Sequence, residues 1–505
     1  MTGGLAGARR PGGLGLPGRL FLTVALVYAI HFAPNVVRET YLAIALGESA
    51  SVRVDRYLGL HPDLFEIPGR GAYINNNPGV SLLAAVPYAV ASPAIEGLLR
   101  AVPSLAAPKP PATYEDPRPN RTRFMNEMRA RGLDVKLGLA AAAIHLLFNV
   151  PLGAAAAVLV FLFLRARLRD ERTALWMALL FALGTPVFFR SAFLNQNLAL
   201  AYCALAAYLA LAWHGGETTL DRPLPRGRVR WAGFALGLGL LCDYSAAPLL
   251  LAFGLWLVGT GWRRGGPALG IRQGADFTLG AAGPIAALFV YQAVAFGSPW
   301  FPAQRYMPAT ELSTDGWNGL QVPTADLLWR NLLDPRYGLL ISCPMLLAAL
   351  LAPRYRGRPG AAGGAELVLL LGASVALYLF CSAVSFAALQ WNTGVRYLVP
   401  AVPLLFIALV PVLLHLPRAV TWLLVVPTVT IAWAMAMTRE NIFTALLRVF
   451  TLGPELPWHT VLQKTAMAYL PALARGGTPL MVLLLAGVIL WLLWRDAPFA
   501  PAGDA

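Results

Sequence analysis

Lysine is almost missing. Lys109, Lys136 and Lys464 are the three in a chain of 505 residues. Charge of either sign is scarce, at 13% Asp, Glu, Lys and Arg, against about a quarter in a soluble domain. That shortage excludes a soluble enzyme and a disordered chain. No lysine follows a Gly-x-x-x-x-Gly run, so there is no Walker A loop. The cysteines (Cys203, Cys242, Cys343, Cys381) lie in apolar segments without zinc spacing or a disulfide framework. The histidines (31, 61, 145, 214, 415, 459) contain no i, i+4 pair, and no metal site is read from them. What is abundant is apolar: 57% of residues are hydrophobic and the mean hydropathy is +0.60. The expected fold is therefore an all-α polytopic membrane protein.

Removing three lysines from the 40 Lys and Arg leaves 37 arginines, and the net charge is +15. Part of this is the bias toward basic cytoplasmic loops; the rest suits phosphate, which the guanidinium fork matches. The basic residues lie in short loops between spans, so nucleic acid is not an expected partner. The N-terminal arginines Arg9, Arg10 and Arg19 precede an apolar run from Leu20 to Val37. It is longer than a signal-peptide core and reads as a retained first span. Further spans are expected at 135–164, 172–191, 195–213, 272–297, 336–352, 366–389, 395–415, 419–437 and 477–494. Segment 231–260 carries Asp243 at its middle, between two Arg-rich loops. An even number of passes must join loops on one side, so it is read as a hairpin of two short arms turning at Cys242–Tyr244. By the same parity, 78–104 is a helix lying on the outer surface.

These readings give about twelve spans with both termini cytoplasmic, and a large first outer loop carrying juxtamembrane helices. The organisation is 1–37, N-terminus and first span; 38–134, outer loop; 135–297, bundle with the short hairpin; 298–335, outer loop suited to be a lid; 336–437, bundle; 438–476, outer loop; and 477–505, last span and tail.

Polar chemistry gathers on the expected outer side. Glu39, Asp55 and Asp63 lie near Arg38, Arg53 and Arg56 in sequence. A carboxylate beside arginines can stay ionised and take a proton from a hydroxyl; solvated loop ion pairs are the alternative. Tyr73 leads into Asn75, Asn76 and Asn77 before Pro78. Asn77 can cap the following helix with Pro78 at its first position, or the amides can bind an anion or a polyol. Three arginines are each followed by tyrosine: Arg305–Tyr306, Arg336–Tyr337 and Arg396–Tyr397. They read either as interfacial anchors or as a phosphate grip. Asp243, followed by Tyr244, is too costly to face lipid and must meet water, an arginine or a ligand.

The order of these elements resembles the GT-C superfamily of membrane glycosyltransferases, which use polyprenyl-phosphate sugars. It is nearest to lipid A aminoarabinose transferases, protein O-mannosyltransferases and their bacterial relatives, over residues 20–420. The resemblance rests on Arg38-Glu39-Thr40-Tyr41 after the first span, Asp55-Arg56-Tyr57, Tyr73-Ile74-Asn75-Asn76-Asn77-Pro78-Gly79, and Ala182-Leu183-Gly184-Thr185-Pro186-Val187-Phe188-Phe189-Arg190-Ser191. It continues through Leu241-Cys242-Asp243-Tyr244-Ser245, Phe296-Gly297-Ser298-Pro299, Asp334-Pro335-Arg336-Tyr337 and Gly394-Val395-Arg396-Tyr397. The first motif lacks the family's leading Asp. The family Lys is replaced by Asn before Pro-Gly and by Asp243 in the hairpin.

The resemblance implies an inverting transferase on the outer face of a bacterial cytoplasmic membrane. Its site is expected to be metal-independent, with a divalent cation left open, and its acceptor is a glycan, lipid or protein. Asp55 is the first expected base, then Glu39 and Asp63. Arg336, Arg396 and Arg305 neutralise the departing phosphate, with Arg38, Arg56, Tyr73, Asn75–Asn77, Asp243, Tyr244, Tyr306, Tyr337 and Tyr397 lining the donor site. A transporter or flippase of lipid-linked sugar, or a non-catalytic glycan binder, are the rival readings.

Overall fold

A computed structural model describes residues 14–111, 121–213, 220, 224–389, 395–465, 470–473 and 475–497. Helix α1 (Leu16–Ile30) ends at His31, short of the Val37 expected from hydropathy, because Pro34 disfavours helical backbone just before it. Helix α2 (Arg38–Ser49) follows and stops at Ala50 in the left-handed region. A short antiparallel hairpin, β1 (Leu64–Ile67) with β2 (Gly71–Ile74), pairs Leu64 with Ile74 and Ile67 with Gly71. Helix α3 (Gly79–Ala101) packs on α2, where Gly47 lies under the Tyr88 ring.

The bundle proper begins with a continuous helix, Asp134–Leu168, which holds a wider turn at His145–Asn149. Glu171–Gly184 starts from Asp170, whose side chain accepts from the backbone of Arg172 and Thr173. The chain breaks at Thr185, which caps Pro186–Arg190, and Asn195 caps Gln196–Ala212. These caps satisfy helix-end N–H groups that lipid cannot. Segment 231–260 does reverse at the expected place: Arg226–Cys242 ends, Asp243–Ser245 turns, and a helix restarts at Ala246. It runs to Phe296 with a break at Gly265 and Gly266, the latter at φ 75°, a conformation open to glycine.

Five helices among the described residues are long and apolar enough to cross a membrane: α3, Asp134–Leu168, Ala246–Phe296, Gly364–Ala383 and Arg418–Thr438. Leu16–Ile30, Gln196–Ala212, Val399–His415, Ile442–Leu452 and Thr478–Trp494 are apolar but shorter. About twelve spans were expected, a count that these helices do not confirm. Two departures from the expected passes have local causes. The 336–352 stretch is broken into Leu339–Ser342 and a tighter helix Pro344–Tyr355, Pro344 and Pro353 interrupting the α ladder. The two passes on either side of Gly265–Gly266 run together as one helix.

Two main buried clusters result among the described residues, beside a small third of Ala33, Ala192 and Phe193. The larger fills the bundle around Tyr28, Phe161, Phe188, Tyr208, Phe253 and Phe406. The smaller joins α2, α3 and the hairpin through Tyr41, Tyr57, Phe65, Tyr73, Tyr88 and Phe296. The site lies where the second cluster meets the first.

Candidate functional site

Arg38 opens α2 and is half-buried. Its Nε donates to Glu39 Oε1 at 3.0 Å, and its Nη1 donates to Asp63 Oδ2. Asp63, just before β1, accepts at Oδ1 from Asn75 Nδ2 at 3.0 Å, while its backbone oxygen accepts from the Asn75 N–H at 3.1 Å. The hairpin register, Leu64 opposite Ile74, places residues 63 and 75 side by side. Asn76 Nδ2 donates to Glu39 Oε1 at 2.8 Å. Gln196, entering from the bundle, completes the ring: with its amide nitrogen toward Glu39 (3.1 Å), its oxygen accepts from Arg38 Nη2 at 2.9 Å and from Asn76 at 3.3 Å. Ser81 Oγ donates to the Glu39 backbone oxygen at 2.9 Å. Every side chain in this network is thus held by at least one other.

Burial raises the Asp63 carboxyl, but the Arg38 guanidinium, with His61 and Arg396, overrides burial and holds it down at about 2. Asp63 is therefore anionic at any physiological pH. His61 lies against it, with Nδ1 accepting from the Asp63 N–H at 3.1 Å and its ring between those of Tyr41 and Phe124. Burial lowers the His61 pKa and opposes the pull of Asp63. The imidazole is then neutral at pH 7, with its proton on Nε2.

Beside the network stands a group of arginines. Arg396 bears electrostatically on Asp63, on His61 and on the buried Arg190, and its guanidinium lies 4.5 Å from the Tyr397 ring centre. Arg190 and Arg439 approach the ring of Phe193, at 5.3 and 4.3 Å, and Arg439 Nη1 donates to the Phe189 carbonyl at 3.3 Å. Three guanidiniums are thus held near one end of an apolar bundle.

The other expected residues fall elsewhere. Asp55, first choice as base, sits on a single 3₁₀ turn, Asp55–Tyr57. Its oxygens accept from Arg53 Nε at 2.9 Å and from the Ala72 N–H at 2.6 Å, and its side chain is about half exposed. It fastens the turn to β2. Arg56 is exposed near Glu48. Asn77 does not cap α3, whose N-cap position is Pro78; its amide donates to the Leu240 carbonyl at 2.7 Å. Asp243 Oδ1 accepts from the Ser245 N–H at 2.8 Å, and Asn197 donates to Oδ2 at 3.4 Å, which makes it the lock of the 242–246 turn. Tyr244 OH accepts from Gln292. Tyr73 is buried, with its hydroxyl donating to the Arg70 carbonyl at 3.2 Å. Arg305 is exposed, and Tyr306 stacks on Phe296 at 5.3 Å. Arg336 is matched by Asp334, two residues away, and covers Tyr337 at 5.2 Å.

Sequence reading passed over Gln196, His61, Arg190 and Arg439 as functional residues. Arg190 lies inside a motif quoted above, and a charged residue closing an apolar run was the available signal. His61 lies two residues from Asp63, whereas Gln196 and Arg439 are marked by long-range packing.

Residues 89–271 match the family described as dolichyl-phosphate-mannose-protein mannosyltransferase. The resemblance to GT-C membrane glycosyltransferases expected from the sequence is met in that match. No curated protein matches the sequence. Among solved structures the chain is similar to ArnT from Cupriavidus metallidurans in the apo state, at 16% identity over 94% of this chain and 74% of that one, with a TM-score of 0.46. The same protein bound to undecaprenyl phosphate gives 15% identity, 94% and 75% coverage and 0.46. The Archaeoglobus fulgidus oligosaccharyltransferase in the apo form gives 14%, 97% and 62%, and 0.39.

Proposed function

We propose that the protein is a membrane glycosyltransferase that moves a sugar from a polyprenyl-phosphate donor to an acceptor hydroxyl on the outer face of the membrane, with inversion. The observation that carries this reading is the shared carboxylate Asp63, locked between Arg38 and Asn75 with Arg396 alongside. An acid group and arginines near one end of an apolar bundle are what a base and a phosphate grip would need. The family match over 89–271, whose name refers to a polyprenyl-type phosphate sugar, supports the donor class.

In a single displacement the acceptor oxygen attacks the anomeric carbon. The bond from that carbon to the phosphate oxygen breaks, and the phosphate leaves with the electron pair. Arg396 and Arg190 stabilise the growing negative charge, the largest electrostatic demand of the step. The acceptor proton passes to Asp63 and then to water. A carboxylate of so low a pKa takes it late, when the attacking oxygen is already an oxonium. Glu39, Asn76 and Gln196 fix the direction of Arg38 and so of Asp63.

Contacts across the chain support the sidedness. Segments expected outside meet one another: Asn77 with Leu240, Gln304 with the Asn75 carbonyl at 3.0 Å, Trp458 with the Ile30 carbonyl at 3.0 Å. Loops expected inside do likewise: Arg167 with Glu366, and Arg226 and Arg230 with Asp276. Helix α3 begins against Leu241, and its Glu96 pairs with Lys136 at the expected outer start of a span. Both ends of the roughly 25 Å from Gly79 to Glu96 therefore meet outer groups, which favours a helix lying on that surface.

The test is transfer from a labelled polyprenyl-phosphate sugar by the reconstituted protein. Asp63→Asn is expected to lower kcat by about 10²–10⁴-fold, whereas Asp55→Asn changes it only a few-fold. An Asp63→Asn variant as fast as the native protein removes the assignment.

A further inference from the structure

A cavity of about 270 Å³ lies against Asp63. Asp63 and Asn75 form its inner edge, Leu58, Phe65 and Met307 give it apolar walls, and Thr310 stands at its rim. No arginine or lysine lines it, and Glu66 adds a second carboxylate. Its outer wall comes from the 298–335 loop, which is tied to the site by Gln304 Nε2 donating to the Asn75 carbonyl.

Two buried amide oxygens have no hydrogen-bond partner among the described residues: Asn75 Oδ1, on a residue that lines the cavity, and Gln304 Oε1, on the side chain bonded to the Asn75 carbonyl. Neither amide can be turned to remove the deficit. The Asn75 nitrogen is committed to Asp63 and the Gln304 nitrogen to the Asn75 carbonyl. A buried acceptor without a donor costs about 1–3 kcal/mol. The cavity thus offers acceptor atoms and apolar wall, and lacks cationic donors. It suits a ligand that brings its own O–H donors and an apolar face, as a sugar ring does. An anionic ligand would face the Glu66 carboxylate, while Arg38 is already committed to Asp63 and Glu39.

We infer that this cavity, between Asp63 and the Met307–Thr310 segment, is the acceptor subsite, and that it takes an uncharged, hydroxyl-bearing acceptor of sugar-like chemistry in preference to a phosphorylated one. The inference deepens the transferase reading and rests on it for the name acceptor. The two substrates then meet at Asp63, the anionic donor held by the arginines and the neutral acceptor by the cavity.

The experiment measures binding to the full chain in nanodiscs by saturation-transfer NMR. The probes are methyl β-glucoside and its 6-phosphate. Neutral glucoside is expected to bind at least tenfold tighter than the phosphate. Met307→Trp, which fills the cavity, weakens glucoside binding at least tenfold and leaves undecaprenyl phosphate binding unchanged; Thr310→Trp at the exposed rim serves if Met307→Trp does not fold. Equal or tighter binding of the phosphate overturns the inference, as does a filled cavity that still binds glucoside normally. If the native protein binds glucoside as expected but moves no sugar from any polyprenyl-phosphate donor, the transferase reading fails while the neutral-sugar site stands.

Discussion

Asp63 is set apart from the half-exposed Asp55 by its environment. Its pKa is depressed to about 2, below the ordinary 3.8. The anionic form, and the stability it contributes, are therefore complete above the unfolded value and are lost as pH falls through about 2. The acid limb of the rate profile from this group should lie well below the usual carboxylate range. Arg38→Gln removes the strongest opposing cation and leaves burial less opposed. A kcat/KM profile should then show its acid limb displaced to higher pH, and an unmoved limb would detach Asp63 from the rate. The ordering of carboxylates shows how far residues alone can be read. Asp55, Glu39 and Asp63 were all visible as acids near arginines, and Arg38, Asn75 and Asn76 as their neighbours. Which acid turns inward depends on the hairpin register and on Gln196, 120 or more positions away in the chain. Sequence proximity could not supply that. The pairing of Arg336 with Asp334 was local, and a reading that weighed each arginine against acids two residues off would have found it.

At the scale of elements, the site depends on a close approach between the 75–79 turn and the 231–260 hairpin. A Cβ on Gly79 would lie 2.6 Å from the Leu241 carbonyl carbon, and Asn77 bonds the adjacent Leu240 carbonyl. Both neighbours are backbone and cannot step aside. Gly79→Ala should therefore cost about 1–3 kcal/mol by overpacking, read as a lower Tm with reduced transfer, while Gly97→Ala in the same helix, where a Cβ meets open space, leaves both intact. The hairpin turn at 242–244 was legible because two basic loops flanked an apolar segment broken by Asp243. The geometry adds that Asp243 closes its own turn through the Ser245 N–H. Asp243→Ala should lower stability by about 0.5–2 kcal/mol, as lost caps do, measured by thermal unfolding in detergent. The lengths of the passes were less legible. Hydropathy carries no mark of the break at Thr185–Pro186 or of the tight helix Pro344–Tyr355.

Across the whole molecule, the end remote from the site is stitched by buried ions. Arg167 reaches both oxygens of Glu366, at 2.7 and 2.6 Å, and Tyr208 donates to the same carboxylate. Three helices meet there. Removing one member of such a group leaves a buried charge uncompensated, so Glu366→Leu should cost about 3–5 kcal/mol. Activity per folded molecule should stay native, since none of these residues approaches Asp63; loss of turnover without loss of Tm would contradict this. Loop charge had already set these arginine-rich segments on one side, because the rule depends on counts and not on partners. The bridging role of Asp63 has a further consequence. One oxygen is bound to Arg38 and the other to Asn75, so whatever draws the carboxylate toward one neighbour slackens its hold on the other. Occupancy on the two flanks is thereby thermodynamically linked, and linkage is reciprocal: the factor by which a bound lipid phosphate changes glycoside affinity equals the factor by which glycoside changes lipid affinity.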